Sequence, residues 1–165
     1  MNSAELRAIQ APLKARYREH PEEATVTLRA RATLDDTAVA CKVETGRAMV
    51  EAGLHSATGG DGLAACSGDM LLEALAACAG VTLRAVATAL EIPIRGGTVN
   101  VEGDLDFRGT LGVVKDQPVG FKEIRVRFGL ETEAPAEQVS KLLSLAERYC
   151  VVYQTLRQPP QIKFG

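Results

Sequence analysis

The sequence has no tryptophan, and aromatic residues are only 4% of its 165 positions. Its core must therefore be built from Ala, Val and Leu, whose small side chains favour close packing of elements. Histidine is nearly missing as well: His20 and His55 are the only two. The four cysteines, Cys41, Cys66, Cys78 and Cys150, are spaced by 25, 12 and 72 residues, with no Cys-x-x-Cys pair. That pattern argues against a zinc site of the usual spacing, so neither a metal nor a cofactor is expected. No run reaches 18 uninterrupted apolar residues, and no membrane span is expected. Met1 to His20 is charged throughout and lacks the apolar stretch of a signal peptide, so the expected location is cytoplasmic. There the cysteines should stay mostly as thiols. Charge of one sign is lacking too: 19 basic against 21 acidic side chains leave a net −2. Such a balance gives no broad attraction for nucleic acid or anionic membrane.

What is present is a hydrophobic content of 46%, enough for a real core in one domain spanning 1–165. Residues 1–20 read as a helical extension. Leu6, Ile9, Leu13 and Tyr17 recur at helical spacing over Ser3 to Glu19, although Pro12 argues for a kink or a split. From Ala24 to Thr33 apolar and polar residues alternate, as in a half-buried strand. Leu34 to Thr37 reads as a turn, and Ala38 to Val43 and Arg47 to Glu51 continue an antiparallel meander. His55 to Gly68 is loop. Its Gly59-Gly60-Asp61-Gly62 is no phosphate loop, because no Gly-Lys-Ser/Thr follows.

Ser67 to Leu90 is the most informative segment. Ser67 suits an N-cap, and Asp69 places negative charge in the first turn. The rest is apolar on most faces, with Glu73 and Arg84 alone on a narrow polar stripe. That is a buried central helix, and burying it in so small a protein suggests a second subunit. After Pro93 and Gly96-Gly97, Thr98 to Phe107 and Phe121 to Glu131 read as strands joined by the loop Arg108 to Gly120. Pro135 opens a second amphipathic helix, through Val139, Leu142, Leu143, Ala146, Tyr149, Cys150, Tyr153 and Leu156. Pro159-Pro160 stops it, and Gln161 to Phe164 reads as a last short strand. Strands grouped around helices, rather than alternating singly with them, indicate an α+β class.

Two cysteines on two apolar helix faces permit one chemistry in particular. A thiolate attacks an oxygen of a peroxide and becomes a sulfenic acid, and a second thiol condenses with it to a disulfide. The first sulfur needs a positive or hydrogen-bonding group to stay ionised. Cys78 and Cys150 suit the two roles. The plainer reading of any buried cysteine is core filler, and Cys41 and Cys66 are left with that reading.

The run Ser67-Gly-Asp-Met-Leu-Leu-Glu-Ala-Leu-Ala-Ala-Cys78-Ala-Gly resembles the central helix of the OsmC/Ohr family, and Ala146-Glu-Arg-Tyr-Cys150-Val-Val resembles its second cysteine helix. The element order agrees from Ala24 to Phe164. The resemblance implies an intertwined homodimer, with antiparallel strands around two central cysteine-bearing helices and active sites at the subunit interface. It further implies a peroxidase of the antioxidant stress response, reducing organic hydroperoxides with Cys78 attacking and Cys150 resolving. Electrons would come from a dithiol reductant, lipoylated proteins among the candidates.

In this family a Glu ten residues before the first cysteine pairs with an N-terminal Arg. Gly68 stands at that position here. Asp69 is one residue off, and Glu73 lies about 140° around the helix from Cys78. For the Arg, Arg29, Arg31 and Arg47 are the candidates, with Arg31 favoured. Asp69 and Arg31 thus join the two cysteines as candidate catalytic residues, while a solvated strand face is the plainer explanation of the arginines. His55 reads as a surface loop residue. The alternatives are a non-enzymatic binder of a small apolar ligand and a redox sensor on the same fold.

Overall fold

The structure is a computed structural model that describes residues 3–34, 41–43, 52–63, 65–163 and 165, with side chains outside 3–7, 10, 26–34, 41–43 and 52. It is α+β. The helices are α1 (Ser3–Glu19), α2 (Ser67–Ala89), α3 (Phe107–Thr110), α4 (Ala136–Tyr149) and α5 (Val151–Arg157). The strands are β1 (Thr25–Leu34), β2 (Cys41–Val43), β3 (Ala52–Gly53), β4 (Ala65–Cys66), β5 (Gly96–Asp106) and β6 (Glu123–Glu131). One sheet has the order β2-β1-β5-β6, and β3 and β4 form a separate pair. β1 and β2 are antiparallel, with Ala32 opposite Val43 and Leu34 opposite Cys41. Strands β5 and β6 are also antiparallel. Arg95 N–H donates to Glu131 O at 2.9 Å near one end, and Lys122 N–H to Asp104 O at 2.8 Å near the other.

The chain divides into two compact units. The first comprises Met1–Arg29, Thr45–Leu72 and Glu102–Arg125; the second comprises Ala30–Glu44, Glu73–Val101 and Val126–Gly165. In the first, Tyr17, Ala24, Leu72, Leu105, Phe107 and Leu111 are buried. Helix α1 continues through Pro12 as one element, so the chain is not split there. A proline inside a helix removes one backbone bond and costs about 3 kcal/mol. The helix is held at its far end instead, where the buried Tyr17 donates its hydroxyl to Ala57 O at 2.7 Å. Asp106 is fully buried and grips Arg108, with contacts of 2.9 Å to Nε and 2.5 Å to Nη2. That guanidinium outweighs the cost of burial and holds the Asp106 carboxyl below the usual carboxylate range. Gly103 lets Phe121 lie against β5, because a Cβ there would meet the Phe121 ring at 2.6 Å.

In the second unit the buried apolar side chains of α2 are Leu75, Ala76, Ala79, Leu83 and Ala87, one stripe at helical spacing. Val99 and Val101 are buried on β5 at every second residue, and Leu142, Ala146 and Cys150 at every fourth along the α4 segment. Burying five such side chains stabilises the unit by roughly 1.5–3 kcal/mol each for the Val and Leu residues, before chain entropy is subtracted. Arg84 donates to Ile94 O at 2.6 Å, so a charge on α2 ties down the chain that follows the helix. Helix α2 is long and apolar enough to cross a membrane by composition alone. The buried stripe and the charges at Asp69, Glu73 and Arg84 are equally those of a core helix.

Four expectations change. The expected loop from His55 to Gly68 contains a 3-10 turn (Ser56–Thr58) and β4, which pairs with β3 in parallel. The loop after β5 begins with α3, capped by the Asp106 side chain accepting from Arg108 N–H at 3.1 Å. Residues 161–163 are not a strand. Two prolines precede them, and proline offers no N–H to a ladder. The fourth change, at Cys150, belongs to the site. The expected turn at 35–37 and strand at 47–51 lie outside the described residues, as does Arg47.

Candidate functional site

The second amphipathic helix was expected to run on through Cys150. It breaks there. Cys150 has φ −70° and ψ 105°, extended rather than helical, and stands between α4 and α5. Its N–H still donates to Ala146 O at 3.0 Å, and its carbonyl still accepts from Gln154 N–H at 2.9 Å. Between those bonds, the N–H groups of Val151, Val152 and Tyr153 begin a new helix and have no carbonyl one turn earlier. Local sequence favours the break: Tyr149-Cys150-Val151-Val152-Tyr153 is a run of aromatic, β-branched and cysteine residues, all weak helix formers. Tyr149, expected on the buried face, is 56% exposed, with Arg148 over its ring at 5.5 Å.

The freed donors converge on sulfur. Cys78 sits half-buried on α2, and Cys150 is 2% exposed. Burial pushes the Cys78 thiol up. The Val152 N–H, the Cys150 thiol, the Thr82 hydroxyl and the Val151 N–H outweigh it, so Cys78 lies below the ordinary thiol value. Thr82 Oγ1 is 4.0 Å from Cys78 Sγ. Cys150 goes the other way: burial pushes it up to about 11, and the Cys78 thiolate beside it adds to the rise despite the Tyr153 N–H. Both cysteines are free thiols. The two sulfurs are therefore shifted in opposite directions, Cys78 toward the thiolate and Cys150 toward the thiol.

The sequence pointed to a basic side chain as the group that would hold this thiolate. The donors found are main-chain N–H groups, a hydroxyl and a thiol. Their signals were legible only in part. Thr82 stands at the i+4 position from Cys78, whereas a main-chain donor has no residue type to mark it. Arg29 and Arg31 lie on β1 with side chains outside the described ones. Asp69 is in the first turn of α2. Burial raises its carboxyl, and the nearby His55 ring opposes that rise in part. It stands nine residues before Cys78, about half a turn out of phase on the same helix.

His55 is no free surface residue. Its Nδ1 accepts from Ala57 N–H at 3.0 Å, and its ring stacks on Phe107 at 4.9 Å between centroids. It borders a cavity of about 410 Å³ in the first unit, with Cys66, Gly68, Leu71, Phe107 and Phe121 among the lining. Gly68, where the resemblance would place a carboxylate, thus presents no side chain to that cavity. Among the described residues, the cluster with metal-ligand geometry is His20, Glu22 and Glu23. It is exposed, and Glu23 is already paired with Arg16 at 2.9 Å.

Proline at position 151 isolates the contribution of one main-chain donor. The first position of a helix tolerates proline, and the extended Cys150 suits the residue before it. Val151→Pro therefore deletes one N–H aimed at Cys78 and leaves α5 intact. Cys78 should alkylate more slowly at pH 7, on the order of several-fold, as expected for one hydrogen bond to a charged group. Circular dichroism should stay unchanged. An unaltered alkylation rate would show that this donor does not hold the thiolate.

The sequence profile of the OsmC-like protein family matches residues 59–165. None of the curated proteins matches the chain. The crystal structure of an OsmC-like hydroperoxide resistance protein from Jannaschia sp. CCS1 is similar in fold. Its TM-score is 0.58 at 20% sequence identity, over 86% of this chain and 92% of that one. The profile covers well over half of the chain, including both poised cysteines and the helices that carry them, and the chain belongs to the OsmC-like family.

Proposed function

We propose that the protein is a thiol-dependent peroxidase that reduces organic hydroperoxides through Cys78 and Cys150. The observation that carries this reading is the unequal pair: Cys78 held below the ordinary thiol value, and Cys150 beside it pushed up to about 11. The thiolate is the nucleophile, so the sulfur with the lowered value is the one suited to attack and the raised one to resolve. Membership of a family with a hydroperoxide resistance protein among its solved folds supports the same reading.

The steps balance as follows. The Cys78 thiolate attacks the outer oxygen of R–O–OH, an S–O bond forms, and the O–O bond breaks. Sulfur loses two electrons, and the alkoxide leaves and takes a proton from water. The product is a Cys78 sulfenic acid and an alcohol. The negative charge that helped to hold Cys150 protonated is then gone. Cys150 sulfur attacks the Cys78 sulfur, water leaves, and a disulfide forms. A dithiol reductant, such as a lipoylated protein, returns both thiols and leaves as its own disulfide.

Assembly as a homodimer belongs to the same proposal. Helix α2 keeps Met70, Leu71 and Val81 exposed, and Leu90 just past its end is exposed too, each at more than a third of its surface. Such exposure on a largely apolar helix suits a second copy of the chain.

Catalytic turnover is the test. Reduced protein mixed with cumene hydroperoxide and excess dithiothreitol should remove many equivalents of peroxide. One stoichiometric loss would mark a sensor, and no loss a binder; either would overturn the peroxidase.

A further inference from the structure

We infer that Thr82 is a catalytic residue of this site, its hydroxyl donating to the Cys78 sulfur while that sulfur is a thiolate. The inference rests on the peroxidase reading for its purpose, though not for its geometry.

Thr82 follows Cys78 by four residues on α2, so the two share one face. Side chains on a helix lean toward its N-terminus, which tips Thr82 back over the turn that carries Cys78. Its Oγ1 lies 4.0 Å from Sγ, at the outer limit of a hydrogen bond to sulfur, and only the hydroxyl can donate once the sulfur is a thiolate. Both residues are half-buried, so water competes only in part.

A threonine within a helix has another use for its hydroxyl, which is to bond the carbonyl four residues earlier. Thr88 on the same helix does this, donating to Arg84 O at 2.8 Å. Thr88 is exposed, and its hydroxyl serves the backbone. Thr82 faces a sulfur instead. A neutral thiol accepts weakly, and a contact of 4.0 Å to one has little value. An ionised acceptor forms shorter bonds of roughly twice the strength. The contact therefore favours one protonation state of Cys78 over the other, and that preference makes it catalytic rather than structural.

The remaining donors come from the α5 side: the N–H groups of Val151 and Val152, and the Cys150 thiol. The Cys150 donor is consumed when the disulfide forms. Thr82 comes from the helix of Cys78 itself and stays in register with it throughout the cycle.

The experiment uses the full reduced chain. Iodoacetamide alkylation of Cys78 is followed by peptide mass against pH, in wild type, Thr82→Val, Thr82→Ala and Thr82→Ser. The valine and alanine variants should shift the inflection upward and slow alkylation at pH 7 by about five- to ten-fold, the effect of one hydrogen bond to a charged group. Serine should recover most of the rate, because it keeps the hydroxyl. The first turnover with cumene hydroperoxide should slow in the same order. A packing role alone would lower thermal stability without moving the inflection. Valine and alanine variants with the wild-type inflection would overturn the inference, even if the wild type turns over peroxide. A moved inflection in a protein that consumes no peroxide would instead overturn the peroxidase and leave the Thr82 contact standing.

Discussion

Cys78→Ser should consume no peroxide even in a single turnover, whereas Cys150→Ser should consume one equivalent in the first step and then only over-oxidise, without turning over. The asymmetry follows from the protonation states of the two sulfurs. Cys78 sits lower than an ordinary thiol because main-chain N–H groups, Thr82 and the Cys150 thiol outweigh its burial. Serine at 78 is protonated at any ordinary pH and cannot attack an O–O bond. Loss of the first step should therefore be complete, a drop of many orders of magnitude within any practical assay. Serine at 150 keeps a hydroxyl donor beside Cys78, so the first step should survive nearly intact. The sulfenic acid then has no thiol to condense with and should proceed to the sulfinic state with excess peroxide. Intact mass reads both results: no added oxygen on Cys78→Ser at this site, and one and then two on Cys150→Ser. The reverse pattern, with Cys78→Ser still consuming one equivalent, would exchange the roles.

The second large effect is in thiol reactivity against pH. In the reduced protein Cys78 should alkylate with an inflection below the ordinary thiol value. Cys150 should resist until the solution approaches pH 11. At pH 7 a thiol at about 11 is ionised to only about one part in ten thousand, and Cys150 is 2% exposed besides. The difference between the two sites at neutral pH should therefore be about a hundred-fold or more. Stability shifts with the same groups. The depressed Cys78 contributes stability above the ordinary thiol value that is lost as pH falls through its lowered folded value. The raised Cys150 contributes stability that is full below the ordinary value and is lost as pH rises toward 11. Site-resolved alkylation by peptide mass is the measurement. Equal rates at the two cysteines would remove the electrostatic basis of the division of labour.

Much of the scaffold was legible in the sequence because burial leaves a period. The α2 stripe, the alternation along β5 and the Leu142-Ala146-Cys150 face all follow from which residues must avoid water. The two cysteines were legible from their helices and from a family resemblance. The break at Cys150 was not. Apolar residues continue at three- and four-residue steps across it, so periodicity reads one helix where the backbone makes two. Only the weak helix formers around Val151 and Val152 hinted at it, and propensity of that size is easily overridden by packing. The donors that hold the Cys78 thiolate are backbone groups created by that break, and every residue carries such groups. Arg31 and Asp69 were the charged candidates legible in the sequence, and the Arg31 side chain lies outside the described ones. The Asp69 carboxyl is raised by burial, which no spacing in the chain marks. In α1, Pro12 marked an expected split that the helix does not show, and its far end is anchored by the buried Tyr17.

Peptide mapping of the oxidised protein tests the paired thiols most directly. Reduced protein receives one equivalent of cumene hydroperoxide, free thiols are alkylated, and the peptides are weighed without reduction. The expected result is a single disulfide joining the Cys78 and Cys150 peptides, with Cys41 and Cys66 recovered alkylated. Recovery of Cys78 and Cys150 as alkylated thiols after the peroxide has been consumed would contradict it.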